Sequence, residues 1–433
     1  MTLAYRGVIE GFYGRPWTPT QRHDLLARMG AWGMNTYVYG PKDDVKVRAA
    51  WRERYDADEA RDLGALADAA ARHGVALHYA IAPGLDVRYA DTDDRRALRA
   101  KLEQVLELGV GAVTLLFDDI PAGLTGADRA AFASFGAAHA DVANEVAGFL
   151  APRDVPLLLC PTEYCDRFAD PSVEASPYLH DLGAALDARV DVYWTGPEIV
   201  SETVPSDATR RIARVLGRAP VLWDNLHAND YDHRRVYLGP YLGRGPALRG
   251  ELRGVITNPN VEAEANAVPL HTTAAWLRGE DDIEAALARA IDAWLPRFAT
   301  HGGHADREEV GLLVDYLHLP FRHGPAAQAH LAAAARVAAD GGGAEDRDLL
   351  AERARQLVAV HRRVTELRDR DLAYALYSYV WDLKEEAEVL ASYARHPGGP
   401  FCRPDALPNT YRTGIVDALQ GILPLDADGC VRR

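Results

Sequence analysis

The stretch GAVTLLFDD, residues 111–119, runs through apolar and β-prone residues into two adjacent aspartates. Its apolar part has the composition of a buried strand, so Asp118 and Asp119 are expected at the strand's end. Taken alone, two acids in this position are as consistent with a helix N-cap or a solvated turn as with function. The fold around them therefore decides how they are interpreted.

Runs of the same kind recur along roughly the first 280 residues and alternate with amphipathic stretches, which predicts repeated β-α units around a parallel sheet. With 111–119 included, the eight runs are YRGVIEG (5–11), MNTYVYGP (34–41), VALHYAIAPG (75–84), GAVTLLFDD (111–119), VPLLLCPTEY (155–164), VDVYWTGP (190–197), APVLWDN (219–225) and RGVITNPN (253–260). Helix signals lie between them, among them Thr18-Pro19-Thr20-Gln21, a capping pattern.

Eight such units predict a (β/α)8 TIM barrel over residues 1–280, close to the usual size of about 250 residues. The rival is a doubly wound open sheet. That fold normally has a glycine-rich phosphate turn after its first strand, and EGFYGRPW (10–17) does not match GxGxxG. The barrel is therefore favoured.

Beyond residue 280 the pattern changes to apolar residues at helical spacing, which predicts an α-helical bundle domain over 281–433. Three consecutive glycines at 341–343 interrupt the helical pattern once. From His396 the chain is rich in proline and glycine, and only one short helix near 414–419 is expected in this irregular tail.

Composition limits the classes of partner. The 433 residues carry 63 Asp and Glu against 48 Lys and Arg, a formal net charge of -15. Such an acidic chain is not expected to bind nucleic acid or an anionic membrane, since both require basic patches. No apolar window of about 18 residues predicts a membrane span either.

The N-terminal segment and the cysteines predict a cytoplasmic location. MTLAYRGVIEG (1–11) lacks a basic start followed by an apolar run, so no signal peptide is expected. The four cysteines are too scattered to predict a disulfide framework or a CxxC zinc site.

Polar residues follow nearly every predicted strand, where a barrel of this type carries its chemistry. Carboxylates, amides, one lysine and aromatic rings together suit a polyhydroxylated ligand such as a sugar. Taken singly, each residue also has a purely structural interpretation. Lys42 belongs to a charged KDD cluster typical of a surface, and Trp223 and Tyr164 are typical of a core. HANDYDH (227–233) does not have the spacing of a usual zinc motif. Their coincidence at one barrel face favours a site.

Two carboxyls at a barrel mouth suit glycoside cleavage, in which one carries a proton while the other stays charged. Successive strand residues point to opposite faces, so Asp118 and Asp119 can share a ligand only if the strand bends at its end. This favours a substrate that supplies its own nucleophile over a pair of matched nucleophilic carboxylates.

Seven segments in the predicted barrel resemble glycoside hydrolase family 84, a family of β-N-acetylglucosaminidases. They are GVIEGFYGRPW (7–17), NTYVYGPKDD (35–44), LLFDDI (115–120), CPTEYC (160–165), WTGP (194–197), LWDNLHANDYDH (222–233) and TNPN (257–260). The helical region resembles that family's stalk-like domain only in character. The resemblance implies a retaining, substrate-assisted hydrolysis of β-linked GlcNAc, with neither a metal nor an organic cofactor.

The resemblance also implies roles for individual residues. Asp118 would orient and polarise the substrate's 2-acetamido group, whose carbonyl oxygen attacks the anomeric carbon to give an oxazoline. Asp119 would protonate the leaving oxygen and then act as a base for water. Tyr164 would hydrogen-bond near the acetamido oxygen, and Asn225 would position Asp118 and the amide. Further implied contacts to the sugar hydroxyls and the acetamido pocket are the Gly11 carbonyl, Lys42, Asp230, Asn258, Trp223 and Thr195.

Three substrates or activities stay open at this point. The leading one is exo-acting removal of GlcNAc, including O-linked GlcNAc on Ser or Thr of proteins. The same hydrolysis could act on GlcNAc-terminated oligosaccharides from cell walls or glycosaminoglycans, and a non-catalytic GlcNAc or glycoprotein binder is a third alternative. The helical domain could form a homodimer or shape a peptide cleft, and its sequence favours neither.

Overall fold

A computed structural model describes residues 3–406 and 413–431, and within them eight parallel strands form a closed barrel in sequence order. The strands are β1 (Tyr5–Glu10), β2 (Thr36–Tyr39), β3 (Ala76–Ile81), β4 (Ala112–Leu116), β5 (Leu157–Cys160), β6 (Val190–Trp194), β7 (Val221–Asp224) and β8 (Gly254–Thr257). Each lies inside one of the runs predicted from sequence. Strand β8 pairs with β1, which closes the barrel and confirms the predicted fold class.

Helices follow the strands and continue through the C-terminal part. They are α1 (Pro19–Ala31), α2 (Ala57–Arg72), α3 (Thr92–Glu107), α4 (Asp128–Ala131), α5 (Phe135–Leu150), α6 (Pro177–Ala185), α7 (Ser206–Leu216), α8 (Ala267–Leu277), α9 (Ile283–Trp294), α10 (Arg307–Tyr316), α11 (Pro325–Asp340), α12 (Ala344–Thr365), α13 (Arg370–Arg395) and α14 (Gly414–Ile422). Thr18 caps α1 in a capping box with Gln21, as its sequence predicts. The glycines at 341–343 separate α11 from α12.

Most residues of the barrel strands are apolar, because both faces of a barrel sheet are covered. All five residues of β4 are buried. Inside the barrel, side chains such as Ile9, Val38, Leu116 and Ile256 pack into one core cluster. This rigid scaffold fixes the directions in which the strand ends point.

Two compact units can be distinguished in the chain. The first comprises residues 1–230, 242–261 and 274–281, and it contains the barrel strands. The second comprises residues 231–241, 262–273 and 282–433, and has an apolar core of its own. The second unit therefore includes two short segments that precede residue 281 in the sequence.

Cys402 and Cys430 form a disulfide in the second unit, although the cysteine spacing does not predict one. The pairing arises because the tail folds back, so that these two residues are partners in an antiparallel bridge. Cys160 and Cys165 are free and buried. In the described part of the chain, none of the helices is both long and apolar enough to cross a membrane.

Candidate active site

The two aspartates after β4 have different surroundings. Asp118 is 6% exposed, whereas Asp119 is exposed and its backbone has a φ of 51°. A left-handed residue interrupts the alternation of side chains along an extended strand. The bend required for the two acids to serve one ligand is therefore present at Asp119.

Asp118 is paired with a buried lysine. The Lys42 Nζ atom lies 3.1 Å from Asp118 Oδ2, and both side chains are nearly inaccessible to solvent. Burial opposes the charge on Lys42, but the Asp118 carboxylate outweighs it and raises the pKa of the lysine. Oδ1, the other carboxylate oxygen of Asp118, is buried and has no hydrogen-bond partner among the described residues. A buried acceptor of this kind is suited to an N–H group supplied by a ligand.

The carboxylate of Asp119 faces two tyrosines. The Tyr164 hydroxyl donates to Oδ1 at 3.0 Å, and the Tyr13 hydroxyl lies 3.5 Å from Oδ2. Burial, followed by the Asp119 carboxylate, raises the pKa of Tyr164 well above its usual value, so this phenol stays protonated and acts as a donor. The predicted partner of Tyr164 is the substrate's acetamido oxygen, and in the structure its partner is Asp119.

Tyr13 connects the two acids, and the sequence pattern alone does not single it out. Its ring lies 5.6 Å from Lys42 Nζ, while Lys42 contacts Asp118. Its hydroxyl approaches Asp119, and its backbone N–H donates to Asp230 Oδ2 at 2.9 Å. The signal that could have found Tyr13 is its place in GFYGRPW, an aromatic residue in the loop that follows β1.

Three predicted site residues at the C-terminal ends of β7 and β8 form a polar group. The Asn225 Oδ1 atom accepts from Trp223 Nε1 at 3.0 Å and from Asn258 Nδ2 at 3.0 Å. Asn225 Nδ2 donates to the Ile199 carbonyl at 2.8 Å. The hydrogen bonds of Asn225 thus orient Trp223 and Asn258, whereas its predicted role is to position Asp118. Asn258 Oδ1 is buried without a partner among the described residues and is a second acceptor suited to a ligand.

The indole of Trp223 lies close to the backbone that follows β1. A Cβ atom built on Gly11 would lie 3.2 Å from the Trp223 ring, closer than most side chains tolerate. Glycine at this position therefore allows the indole to approach the chain. Trp223 also meets the Tyr193 ring edge-on at 5.3 Å, which holds the indole in one orientation.

Thr195 is buried after β6, and its hydroxyl has a local partner. Its Oγ1 donates to the Glu198 carbonyl at 2.8 Å, and its backbone N–H donates to the Tyr164 carbonyl at 2.8 Å. These bonds connect the loop after β6 to Tyr164. A contact of Thr195 with ligand would therefore be made by its methyl group, consistent with its predicted place in a pocket wall.

Two other strand-end acids are occupied by structural ion pairs. Glu10, at the end of β1, accepts from Arg22 Nε and Nη2, both at 2.8 Å, and from the Tyr37 hydroxyl. Asp224, at the end of β7, binds Arg244 through contacts of 2.6 and 2.7 Å, and both side chains are 1% exposed. In each case both carboxylate oxygens accept from the arginine, so these two acids serve to hold the fold and not to bind a ligand.

The arrangement favours chemistry between two unlike carboxyls. Asp118 is buried, is bound by Lys42 and has one acceptor oxygen without a partner among the described residues, while Asp119 is exposed and contacts two phenols. Within residues 3–406 and 413–431, no three His, Cys, Asp or Glu side chains come together as metal ligands. A closed parallel barrel with this pair at the C-terminal ends of its strands has the architecture of a glycoside hydrolase.

Comparison with known proteins identifies the family. The sequence model of the β-N-acetylglucosaminidases matches residues 6–309, so the chain belongs to that family, and the resemblance to glycoside hydrolase family 84 is confirmed. Two curated relatives, the protein O-GlcNAcases of Rattus norvegicus and Mus musculus, are each 46% identical over 272 residues. That match covers 63% of this chain and only 30% of either relative.

A solved structure supports the same relationship. A mutant O-GlcNAc hydrolase from Thermobaculum terrenum has a TM-score of 0.79 and 26% sequence identity to this chain. The alignment covers 90% of this chain and 83% of the other. The likeness therefore extends well beyond the residues that the family's sequence model matches.

Proposed function

We propose that this protein is a retaining exo-β-N-acetylglucosaminidase that uses its substrate's 2-acetamido group as the nucleophile. The observation that carries the proposal is the asymmetry of the acids. Asp118 offers a buried Oδ1 that has no partner among the described residues, beside an Oδ2 that is bound by Lys42, whereas Asp119 presents an exposed carboxyl whose side-chain partners within the described residues are tyrosines and no cation. Membership of the β-N-acetylglucosaminidase family supports the choice of sugar.

In the proposed first step, Asp118 accepts the acetamido N–H and increases the electron density on the acetamido oxygen. That oxygen attacks the anomeric carbon, the glycosidic bond breaks, and Asp119 gives its proton to the leaving oxygen. The product is an oxazolinium ion, the protonated oxazoline, whose N–H stays hydrogen-bonded to Asp118. In the second step Asp119 takes a proton from water, which opens the oxazoline from the opposite face and restores the original anomeric configuration.

The remaining predicted residues would bind the sugar. Lys42, the Gly11 carbonyl, Asp230 and Asn258 are proposed to contact the hydroxyls, and Trp223 to wall the acetamido pocket. Two observations support these roles: Asn258 Oδ1 has no partner among the residues that the structure describes, and Trp223 approaches Gly11 closely. No metal or organic cofactor is needed for this reaction.

We propose O-linked GlcNAc on protein Ser or Thr as a substrate, because both curated relatives and the solved structure are named for O-GlcNAc hydrolysis. GlcNAc-terminated oligosaccharides are the alternative substrate. Initial rates on an O-GlcNAc-modified protein and on a free GlcNAc-terminated oligosaccharide, compared at equal concentrations of terminal sugar, would separate them. A clear preference for the oligosaccharide would contradict the protein substrate.

The test of the proposed activity is turnover of an aryl β-N-acetylglucosaminide, with the anomeric configuration of the first product followed by NMR. We expect hydrolysis between about pH 4 and about pH 8, where carboxyls and histidines titrate, and initial release of the β-anomer. Release of the α-anomer would exclude the retaining mechanism. Folded protein without turnover at any pH in this range would instead favour the non-catalytic GlcNAc binder.

The cytoplasmic location and a homodimer formed through the helical domain remain predictions. The Cys402–Cys430 disulfide counts against a reducing compartment, because disulfides of this kind are uncommon in the cytosol. Alkylation of free thiols in intact cells, followed by mass spectrometry of these two cysteines, tests the location. Light scattering of the purified chain tests the dimer.

A further inference from the structure

The backbone of Asp119 is held in an unusual conformation. Its φ of 51° lies in the left-handed region, which among the described non-glycine residues is shared only by Asp154. For an L-residue this conformation costs about 1–2 kcal/mol relative to the right-handed one, although aspartate tolerates it better than most residues. Asp154 ends a short turn, as such residues often do, whereas Asp119 lies at the barrel mouth. Contacts from other parts of the site must therefore stabilise it.

One such contact comes from Arg48, in the loop that follows β2. Its Nη2 atom donates to the main-chain carbonyl oxygen of Asp119 at 2.9 Å, across 71 residues of sequence. Its other terminal nitrogen, Nη1, is buried and has no hydrogen-bond partner among the described residues. The Arg48 guanidinium therefore contacts the backbone of Asp119 and not the Asp119 carboxylate.

This geometry suits a residue that has to donate a proton. Arg244 binds the carboxylate of Asp224 directly, and a guanidinium in such a place favours the charged form of a carboxyl group in general. A guanidinium bound to the carbonyl fixes the peptide plane and, with φ, the direction of the Asp119 side chain. The Asp119 carboxyl keeps its contacts with the hydroxyls of Tyr164 and Tyr13.

We propose that Arg48 is a positioning residue for Asp119, holding the left-handed backbone that aims the general acid at the leaving oxygen. This inference rests on the proposed function, because it requires Asp119 to be the acid. Arg48 itself is not proposed to touch the reacting atoms. Removing it should misdirect the acid, and a misplacement of about 1 Å can reduce a rate by about 100-fold.

The test compares Arg48→Ala on two substrates with different leaving groups. Methyl β-N-acetylglucosaminide needs protonation of its leaving oxygen, whereas the dinitrophenyl glycoside needs little. We expect kcat/KM to fall about 10- to 100-fold on the methyl glycoside and about threefold or less on the dinitrophenyl glycoside. The matched control is Arg54→Ala, an exposed arginine six positions along the same loop, which should leave both rates unchanged.

A double-mutant cycle shows whether Arg48 acts through the acid. In an Asp119→Ala background, Arg48→Ala should produce no further loss on either substrate. If circular dichroism shows that Arg48→Ala does not fold, Arg48→Lys replaces it, because lysine keeps the charge and most of the side-chain stem. Arg48→Lys should also lose more activity on the methyl glycoside than on the dinitrophenyl glycoside, by a smaller factor.

Failure of the proposed function and failure of the proposed role of Arg48 give different results. If Asp119→Ala alone loses activity equally on both glycosides, the proposed acid is wrong. Suppose instead that Asp119→Ala loses activity mainly on the methyl glycoside, as expected for the acid. The role of Arg48 is then overturned if folded Arg48→Ala keeps full activity or loses activity equally on both glycosides. It is also overturned if Arg48→Ala causes a further loss in the Asp119→Ala background.

Discussion

The acids at the end of β4 and those at the ends of β1 and β7 occupy equivalent places in the barrel and have opposite surroundings. Glu10 and Asp224 are each bound by an arginine through two contacts and are fully buried. Asp118 and Asp119 have a lysine and two tyrosines as side-chain partners, and one oxygen of Asp118 has no partner in the described part of the chain. A place at the barrel mouth is therefore not enough for catalysis; the acid must also retain a lone pair or a proton to offer.

The sharpest test of this comparison is Asp118→Ala. If Asp118 polarises the acetamide, the loss of kcat should be about 1,000-fold or more on every glycoside, since the nucleophile itself is affected. A thiazoline that mimics the oxazoline should also lose its tight inhibition, as measured by a competition assay. Retention of that inhibition in Asp118→Ala would contradict the assignment.

The second test is Asp119→Ala, whose effect should depend on the leaving group. We expect a loss of about 100- to 1,000-fold on the methyl glycoside, in the range of general acid catalysis, and a much smaller loss on the dinitrophenyl glycoside. Steady-state kinetics on the two substrates measures the ratio. If the ratio of the rates on the two glycosides is the same in Asp119→Ala as in the unchanged protein, Asp119 is not the general acid.

The third test addresses the arginine-bound acids. Arg244→Met leaves Asp224 buried without its cation, and breaking a buried pair of this kind costs about 3–5 kcal/mol in the free energy of unfolding. Urea denaturation measures this cost. Activity per folded molecule should persist, and a variant of full stability but no activity would place Asp224 with the catalytic acids instead.

The smallest expected effect is that of Tyr13→Phe, which keeps the ring near Lys42 and removes the hydroxyl near Asp119. The contact of 3.5 Å is long for an O–H···O bond, although catalytic hydrogen bonds often shorten in the substrate complex. A loss of about fivefold in kcat/KM on the methyl glycoside is expected, equivalent to about 1 kcal/mol for one hydrogen bond. Tyr374→Phe, on an exposed face of α13, is the control and should have no effect.

Much of the barrel was predictable because its signals are local. Each of the eight strands lies within a short apolar or β-branched run, and a capping pattern marks the start of α1. The positions of the acids at the mouth follow from the same pattern, since every strand end of a parallel barrel points to one face. The alternation of side chains also indicated that a bend is needed between Asp118 and Asp119.

Other features depend on contacts between residues far apart in sequence. The sequence next to Glu10 and that next to Asp118 do not show which of these strand-end acids is held by an arginine. Glu10 is bound by Arg22 and Asp118 by Lys42, and each of these partners lies on a different segment of the chain from the acid. The links of Tyr13 to Lys42, Asp119 and Asp230, and that of Arg48 to the Asp119 carbonyl, are likewise long-range. The cysteines at 402 and 430 meet only because the tail folds back.

The sequence by itself determined the order of strands and helices, the barrel and the residues at its mouth, because periodicity and strand direction are properties of short segments. Only the tertiary structure decided which of those acids are bound by arginines, which oxygen of Asp118 is bound by Lys42, and how the backbone turns at Asp119. The physical reason is that the state of a carboxylate depends on the charges and donors within a few ångströms of it. Those neighbours are brought together by the closure of the barrel.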